Sequence, residues 1–323
     1  MKDRVILRIP VRNPFHLRLM VLSHGWVDLL PYRWDQESRC LHAVVRTYND
    51  RAFALTIKSE DDNRPGQKLA VIKTAGPRIS NADLLRLETR LRWCFRLDDD
   101  FLPFQQRCAG TPGLEWVREY GLGPFLRNAE PFEEFTKVLM TTNINWGGTK
   151  SLNHYLIQHL GNPVSPRKKG GIEGYAYPTA EKVAAQSERF LREKIRLGYR
   201  APYLKELAGA FVKNQIDFQS FLDPGLPLQD LSKALKKIKG FGPYAVNTVL
   251  MTLGRYEDLI LDSWIRKRVS LRHFKGKNVS DAAIRKIYAP WERWAGLACW
   301  FECAYDTWLK NDLENNSPGP VHT

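Results

Sequence analysis

Apolar residues follow two patterns along this 323-residue chain, and the change comes near residue 105. Before it, "RVILRIPV" and "KLAVIKTA" are short β-rich runs that predict strands. "RCLHAVVRTYNDRAFALTIKS" holds two more, and Asn49-Asp50 between them predicts a hairpin. "FHLRLMVLSHG" predicts a helix stopped by Gly25. "SNADLLRLETRLRWCFRL" predicts another, with Ser80 or Asn81 as N-cap. Residues 1–105 therefore read as a small antiparallel sheet with helices on it.

From residue 106 strand patterns nearly vanish. "EPFEEFTKVLMTTNIN", "TKSLNHYLIQHLG", "TAEKVAAQSERFLREKIRLG", "PYLKELAGAFVKN", "LSKALKKIKG", "PYAVNTVLMTLG" and "APWERWAGLACWFECAYDTWLK" carry apolar residues at helical spacing, and most end in Gly or Asn. The fold class is thus mostly α with an N-terminal α+β domain: a sheet-plus-helices domain over 1–105, a helical core over 106–311 and a polar tail, expected to be flexible, over 312–323. The loop "GNPVSPRKKGGIEGYAYP" holds Arg167, Lys168 and Lys169, as a solvated loop or a phosphate contact.

Composition narrows the function. No uninterrupted apolar run approaches eighteen residues, which excludes a membrane-spanning helix. The start lacks a signal-peptide pattern, so a cytoplasmic protein is expected. Five scattered cysteines argue for a reducing compartment and buried thiols. Cys299 and Cys303 lie one helical turn apart, but nothing nearby completes a zinc or iron–sulfur pattern, so no metal is expected. The net charge of +14 favours a polyanionic partner.

The charge has a focus in "LSKALKKIKGFGPYAVNTVLMTLG", which reads as helix, glycine turn, helix. Gly240 and Gly242 permit positive φ and a close backbone approach. Pro243 sits where a first helical residue needs no N–H partner. The free N–H groups of the turn and the helix dipole then form an anion site, with Lys236, Lys237 and Lys239 beside it. An ordinary glycine-capped corner is the alternative. Twenty residues after Gly242 comes one acid, Asp262, in "LILDSW". Asp262 is either a helix N-cap or a fixed anion able to stabilise a cationic transition state, and both roles can coexist.

The run "GFGPYAVNTVLMTLGRYEDLILDSW" resembles the helix-hairpin-helix superfamily of DNA glycosylases, in which a catalytic Asp follows the hairpin. "LRWCFRLDDDFLPF", "FLRNAEPFEEFTKVLMTTNIN" and "LGYRAPYLKELA" are similar, in this order, to 8-oxoguanine DNA glycosylases. "YAPWERWAGLACWF" is similar to the last core helix of the inducible bacterial 3-methyladenine enzymes. The resemblance spans nearly the whole chain, and it implies a two-lobed helical glycosylase core with the hairpin at about 230–253. It also implies a monomer acting on double-stranded DNA with a damaged base, with no cofactor beyond a monovalent cation at the hairpin.

Residue by residue, the resemblance makes Asp262 catalytic. It puts Tyr244 where bifunctional members carry the Schiff-base lysine, which implies a monofunctional enzyme using water. Tyr244 and Trp300 would wall the base pocket. Asn143, with Ile144 beside it, matches the loop that fills the gap left by the extruded base. Gly296 stands where 8-oxoguanine enzymes place a base-reading glutamine, and Leu261 where the 3-methyladenine branch has a second acid. The leading reading is a glycosylase for alkylated purines. The rivals are an oxidised-purine glycosylase and a non-catalytic protein that binds lesions or bent DNA.

Overall fold

The computed structural model describes residues 4–12, 15–46, 50–60, 67–164 and 174–304. The Arg167–Lys169 loop, Asn49 and the 312–323 tail lie outside the described residues. Strands β1 (Arg4–Pro10), β2 (Tyr32–Asp35), β3 (Cys40–Arg46), β4 (Ala52–Glu60) and β5 (Lys68–Ala75) form one antiparallel sheet, in the order β1-β5-β4-β3-β2. Alternation sets its faces: Leu41, Ala43 and Val45 of β3 enter the core, while Cys40 and His42 share the opposite face. The predicted β3–β4 pairing forms. β2 went unread because four residues give no periodicity.

Helix α1 (Leu17–Leu22) stops before Gly25, which instead opens a 3-10 turn over Gly25–Asp28. Its glycine is needed for packing, since a Cβ there would lie 2.8 Å from the Trp146 ring. Helix α2 (Asn81–Phe95) starts with Ser80 as N-cap. Ser80 Oγ accepts from the Asp83 N–H, and the Asp83 carboxylate accepts from the Ser80 N–H.

The helical core follows as α3 (Leu102–Ala109), α4 (Glu115–Glu119), α5 (Pro131–Thr141) and α6 (Trp146–Leu160). After a two-residue ladder of β6 (Asn162–Pro163) and β7 (Tyr175–Ala176) come α7 (Ala180–Ala184), α8 (Glu188–Glu193), α9 (Ala201–Val212) and α10 (Phe218–Phe221). The chain continues through α11 (Leu228–Lys236), α12 (Pro243–Leu253), α13 (Ser263–Phe274), α14 (Asp281–Tyr288) and α15 (Ala295–Ala304). The helix predicted over "TAEKVAAQSERFLREKIRLG" is two, because Ser187 caps a new start by accepting from the Phe190 N–H.

Two apolar clusters organise these elements. One runs from the sheet through α2 into α5–α9, α11 and α12. The other joins α3 and α4 to the segment before Asp262, α13, α14 and α15. Helix α12 contributes to both, and Tyr244 packs against each.

A buried polar network ties α5 to the N-terminal region. Lys137 Nζ donates to Glu133 and to Asn128 Oδ1, each at 2.7 Å. Glu134 accepts from Trp26 Nε1 at 2.8 Å and from the backbone and side-chain N–H groups of Asn128. Each charge is hydrogen-bonded, and removing one partner of such a buried pair costs about 3–5 kcal/mol.

Candidate active site

The hairpin is built by α11 and α12. Leu231 and Leu235 bury one face of α11, which leaves Lys236 and Lys237 in solvent. Lys239, in the turn, is exposed and pairs with Glu206 at 2.7 Å. Gly240 has φ +89°, and a Cβ there would press into Leu139 and Tyr203. The glycine is therefore fixed by both backbone and space. Gly242 differs from expectation. Its φ is −84°, open to any residue, and nothing lies within 4 Å of where its Cβ would be. Its small size keeps the outer surface of the turn bare. Pro243 occupies the first helical position, as its sequence position predicts.

Helix α12 also fixes the approach to Asp262. Asn247 Nδ2 donates to Asp258 Oδ2 at 3.1 Å and to the Leu259 carbonyl at 2.7 Å. Asp258 in turn accepts from the Leu259 N–H and pairs with Arg285. This clamps the short loop that delivers Asp262 to the start of α13. There Asp262 Oδ1 accepts from the Ile265 N–H at 2.7 Å, so the N-cap reading holds. The carboxyl is half-buried. Burial raises its pKa above the ordinary aspartate value, opposed by the N–H groups of Ile265 and Trp264.

Asp262 faces a cleft of about 1180 Å³ between the two apolar clusters. Tyr244, Trp300, Asn143, Ile144, Gly240 and Gly242 line the same cleft. The three lysines do not line it; they lie along the outer flank of the hairpin. Trp300 is buried: its Nε1 donates to the Ser23 carbonyl at 2.8 Å, and its ring meets Phe125 edge-on and tilts against Trp264. The Tyr244 hydroxyl is held protonated by burial and by the Asp262 charge.

The loop between α5 and α6 forms one lip. Arg200 donates to the Thr142 and Asn143 carbonyls. Asn143 is exposed with φ 49°, a conformation asparagine tolerates well, and its amide reaches Tyr199 Oη at 3.3 Å. Ile144 is turned back, so that a Cβ at Gly148 would lie 2.5 Å from it. Asn145 caps α6, and Trp146 donates to Asp28 across the cleft mouth.

Sequence reasoning missed the wall contributed by the N-terminal region. His24 and Trp26 line the cleft. The His24 ring lies 4.1 Å from Phe125, 4.3 Å from Trp26 and 5.5 Å from Trp300. Burial, reinforced by the Lys137 charge, pushes its pKa down to about 3, so the imidazole is neutral at physiological pH. Only the aromatic density around "SHGW" hinted at this wall.

No protein-family profile matches the chain. A DNA-3-methyladenine glycosylase of Bacillus subtilis strain 168 is 24% identical over 215 residues, which cover 64% of this chain and 68% of that protein. Among solved structures, a 3-methyladenine DNA-glycosylase from Archaeoglobus fulgidus superposes with a TM-score of 0.72 at 19% identity, covering 93% of this chain and 98% of the other. An 8-oxoguanine glycosylase/lyase of Clostridium acetobutylicum, in complex with DNA containing cytosine opposite 8-oxoguanine, gives 0.65 at 19%, covering 90% and 93%.

The fold is that of the helix-hairpin-helix DNA glycosylases.

Within this glycosylase fold two positions take on meaning. Gly296 opens α15 against the loop before Asp262: its N–H donates to the Tyr256 carbonyl, and a Cβ would lie 2.3 Å from the Asp258 carbonyl. No side chain fits there without moving the backbone that delivers Asp262. Leu261 is buried and lines the cleft, so the residue before Asp262 adds an apolar surface.

Proposed function

We propose that this chain is a monofunctional DNA glycosylase that extrudes an alkylated purine from duplex DNA and hydrolyses its glycosidic bond. The observation that carries the reading is Asp262, half-buried in a cleft lined by Tyr244, Trp264 and Trp300 and one clamped loop away from the glycine hairpin. The likeness to glycosylases of both alkylated and oxidised purines supports the reaction class.

The chemistry suits a single acid. Cleavage builds positive charge on the sugar, and the Asp262 carboxylate stabilises it. Water adds to the anomeric carbon and gives its proton to the carboxylate. The bonding pair leaves with the base, which was cationic and departs neutral. No second acid is needed to protonate it, unlike most sugar hydrolases. Tyr244 and Trp300 line the cleft, and an aromatic face turned to a cationic ring attracts it by about 0.5–2 kcal/mol. Neutral His24 adds no opposing charge. The open space beside Gly242, with nothing within 4 Å of where a Cβ would be, is compatible with a phosphate at the hairpin.

The test is a panel of duplexes carrying 3-methyladenine, 7-methylguanine or 8-oxoguanine, assayed for released base. Methylated purines are expected well ahead of 8-oxoguanine; the reverse order would move the chain to the oxidised-purine branch. Asp262→Asn should abolish release and keep DNA binding, because the anion acts mainly in the transition state. Wild-type release rates in that variant would remove Asp262 from the catalytic role. Borohydride should trap no covalent adduct, since Tyr244 cannot form a Schiff base. A trapped adduct would end the monofunctional reading.

A further inference from the structure

The turn between β2 and β3 brings together an acid, a thiol and an imidazole far apart in chemical type and close in space. Asp35 and Cys40 face each other across the strand pair, and His42 lies two residues along on the Cys40 face. Cys40 Sγ lies 3.5 Å from His42 Nε2, and Asp35 Oδ2 lies 3.6 Å from the same nitrogen. All three donor atoms fall within 4.8 Å of one another. Zinc bond lengths of about 2.3 Å to sulfur and about 2.0–2.1 Å to nitrogen or oxygen, at tetrahedral angles, place such donors roughly 3.4–3.6 Å apart.

The surrounding bonds aim these atoms at a common point. His42 Nδ1 lies 3.0 Å from Thr56 Oγ1, its cross-strand partner. With the proton on Nδ1 donated to that hydroxyl, Nε2 presents its lone pair to Cys40 and Asp35. An outer-shell partner of this kind is usual for a metal-bound histidine. Asp35 Oδ1 accepts from the N–H groups of Glu37 and Ser38, which holds the carboxylate with Oδ2 toward the histidine. Ser38 Oγ lies 2.9 Å from Cys40 Sγ, close enough to donate to a thiolate. Cys40 is buried, while Asp35 and His42 are about one-third exposed, so an ion has an entry path and room for a water ligand.

We propose that Asp35 Oδ2, Cys40 Sγ and His42 Nε2 form a zinc site that staples the β2–β3 turn. A thiolate with an imidazole selects zinc or cobalt over magnesium and calcium. The expectation of no metal considered only the Cys299–Cys303 pair; here the ligands come from a hairpin whose first strand was too short to read. The three ligands lie outside the cleft, so the ion would hold the turn and not meet a bound base. Gln36, inside the stapled turn, borders the cleft and is held by Trp34 Nε1 at 3.0 Å. Fixing the turn would therefore fix one edge of the cleft.

The full-length chain, stripped with chelator, is titrated with cobalt(II) under reducing conditions. One cobalt per chain is expected, with a thiolate-to-cobalt charge-transfer band and tetrahedral d–d bands, both displaced by zinc. Cys40→Ser should remove the charge-transfer band. Thr56→Val, which leaves all three ligands in place, should weaken cobalt binding about 10–100-fold. Zinc should raise the melting temperature of the wild type, and less so that of Thr56→Val. A wild type without the band, or a band that survives Cys40→Ser, would overturn the site. Should Cys40→Ser fail to fold, an unchanged cobalt affinity in Thr56→Val would overturn it instead. None of these readouts depends on base release.

Discussion

At Asp262 one carboxylate both closes the end of α13 and faces the cleft, and its environment makes the two uses compete. Burial raises its pKa, so the folded protein binds this proton more tightly than the unfolded chain. Stability from this group is therefore highest when it is protonated, and falls as pH rises through the window between about 3.9 and the raised value. Activity should run the other way, because stabilising a cationic sugar requires the charge. Single-turnover base release is expected to fall on acidification with a midpoint above the ordinary aspartate range. His24, already neutral down to about pH 3, cannot supply that limb. A midpoint at or below about 3.9 would mean that Asp262 does not limit the rate. The same balance predicts that Asp262→Asn, which keeps an oxygen for the Ile265 N–H, melts at or above the wild-type temperature at neutral pH. A lower melting temperature would show that the charge stabilises the fold.

Among the elements, the hairpin and the loop after α12 are joined by one helix, and on the proposed function the first serves binding and the second chemistry. The hairpin was legible because its signals are local: lysines, two glycines and a proline within eight residues. Asp262 was legible for the same reason, as an acid at a helix start. The loop clamp was not, since Asn247 sits inside an apolar helix and only the folded loop shows that it reaches Asp258 and Leu259. Glu133, Glu134 and Lys137 were not legible either: charges within a helix of apolar periodicity, they are buried partners in one network. Asn247→Ala should release the loop while leaving Gly240 and Gly242 in place. Base release is expected to drop about tenfold to a hundredfold, as a displacement near 1 Å would cause. DNA affinity, measured by fluorescence anisotropy, should stay within about twofold. Equal losses in both would place the loop in binding and not in catalysis.

Across the whole molecule, charge and shape divide the work of recognition. Tyr244, Trp264 and Trp300 are among the residues that line the cleft, while Lys236 and Lys237 are exposed and do not line it. Contacts to phosphate position a protein on DNA and carry little sequence or lesion information; on the proposed function, reading the base falls to the cleft. Binding to undamaged duplex should then be governed by counterion release, with log affinity falling linearly with log salt by about 0.9 for each phosphate neutralised. Lys236→Ala and Lys237→Ala should each reduce that slope by roughly one. Lys239→Ala should change it less, because Lys239 is already paired with Glu206 and the pair adds no net charge to the surface. The measurement is best made on the Asp262→Asn protein, which is expected to hold DNA without turning it over. A wild-type slope near zero would discard the phosphate grip altogether. A normal slope unaffected by either lysine would move the grip to the other basic surfaces that make up the net charge of +14.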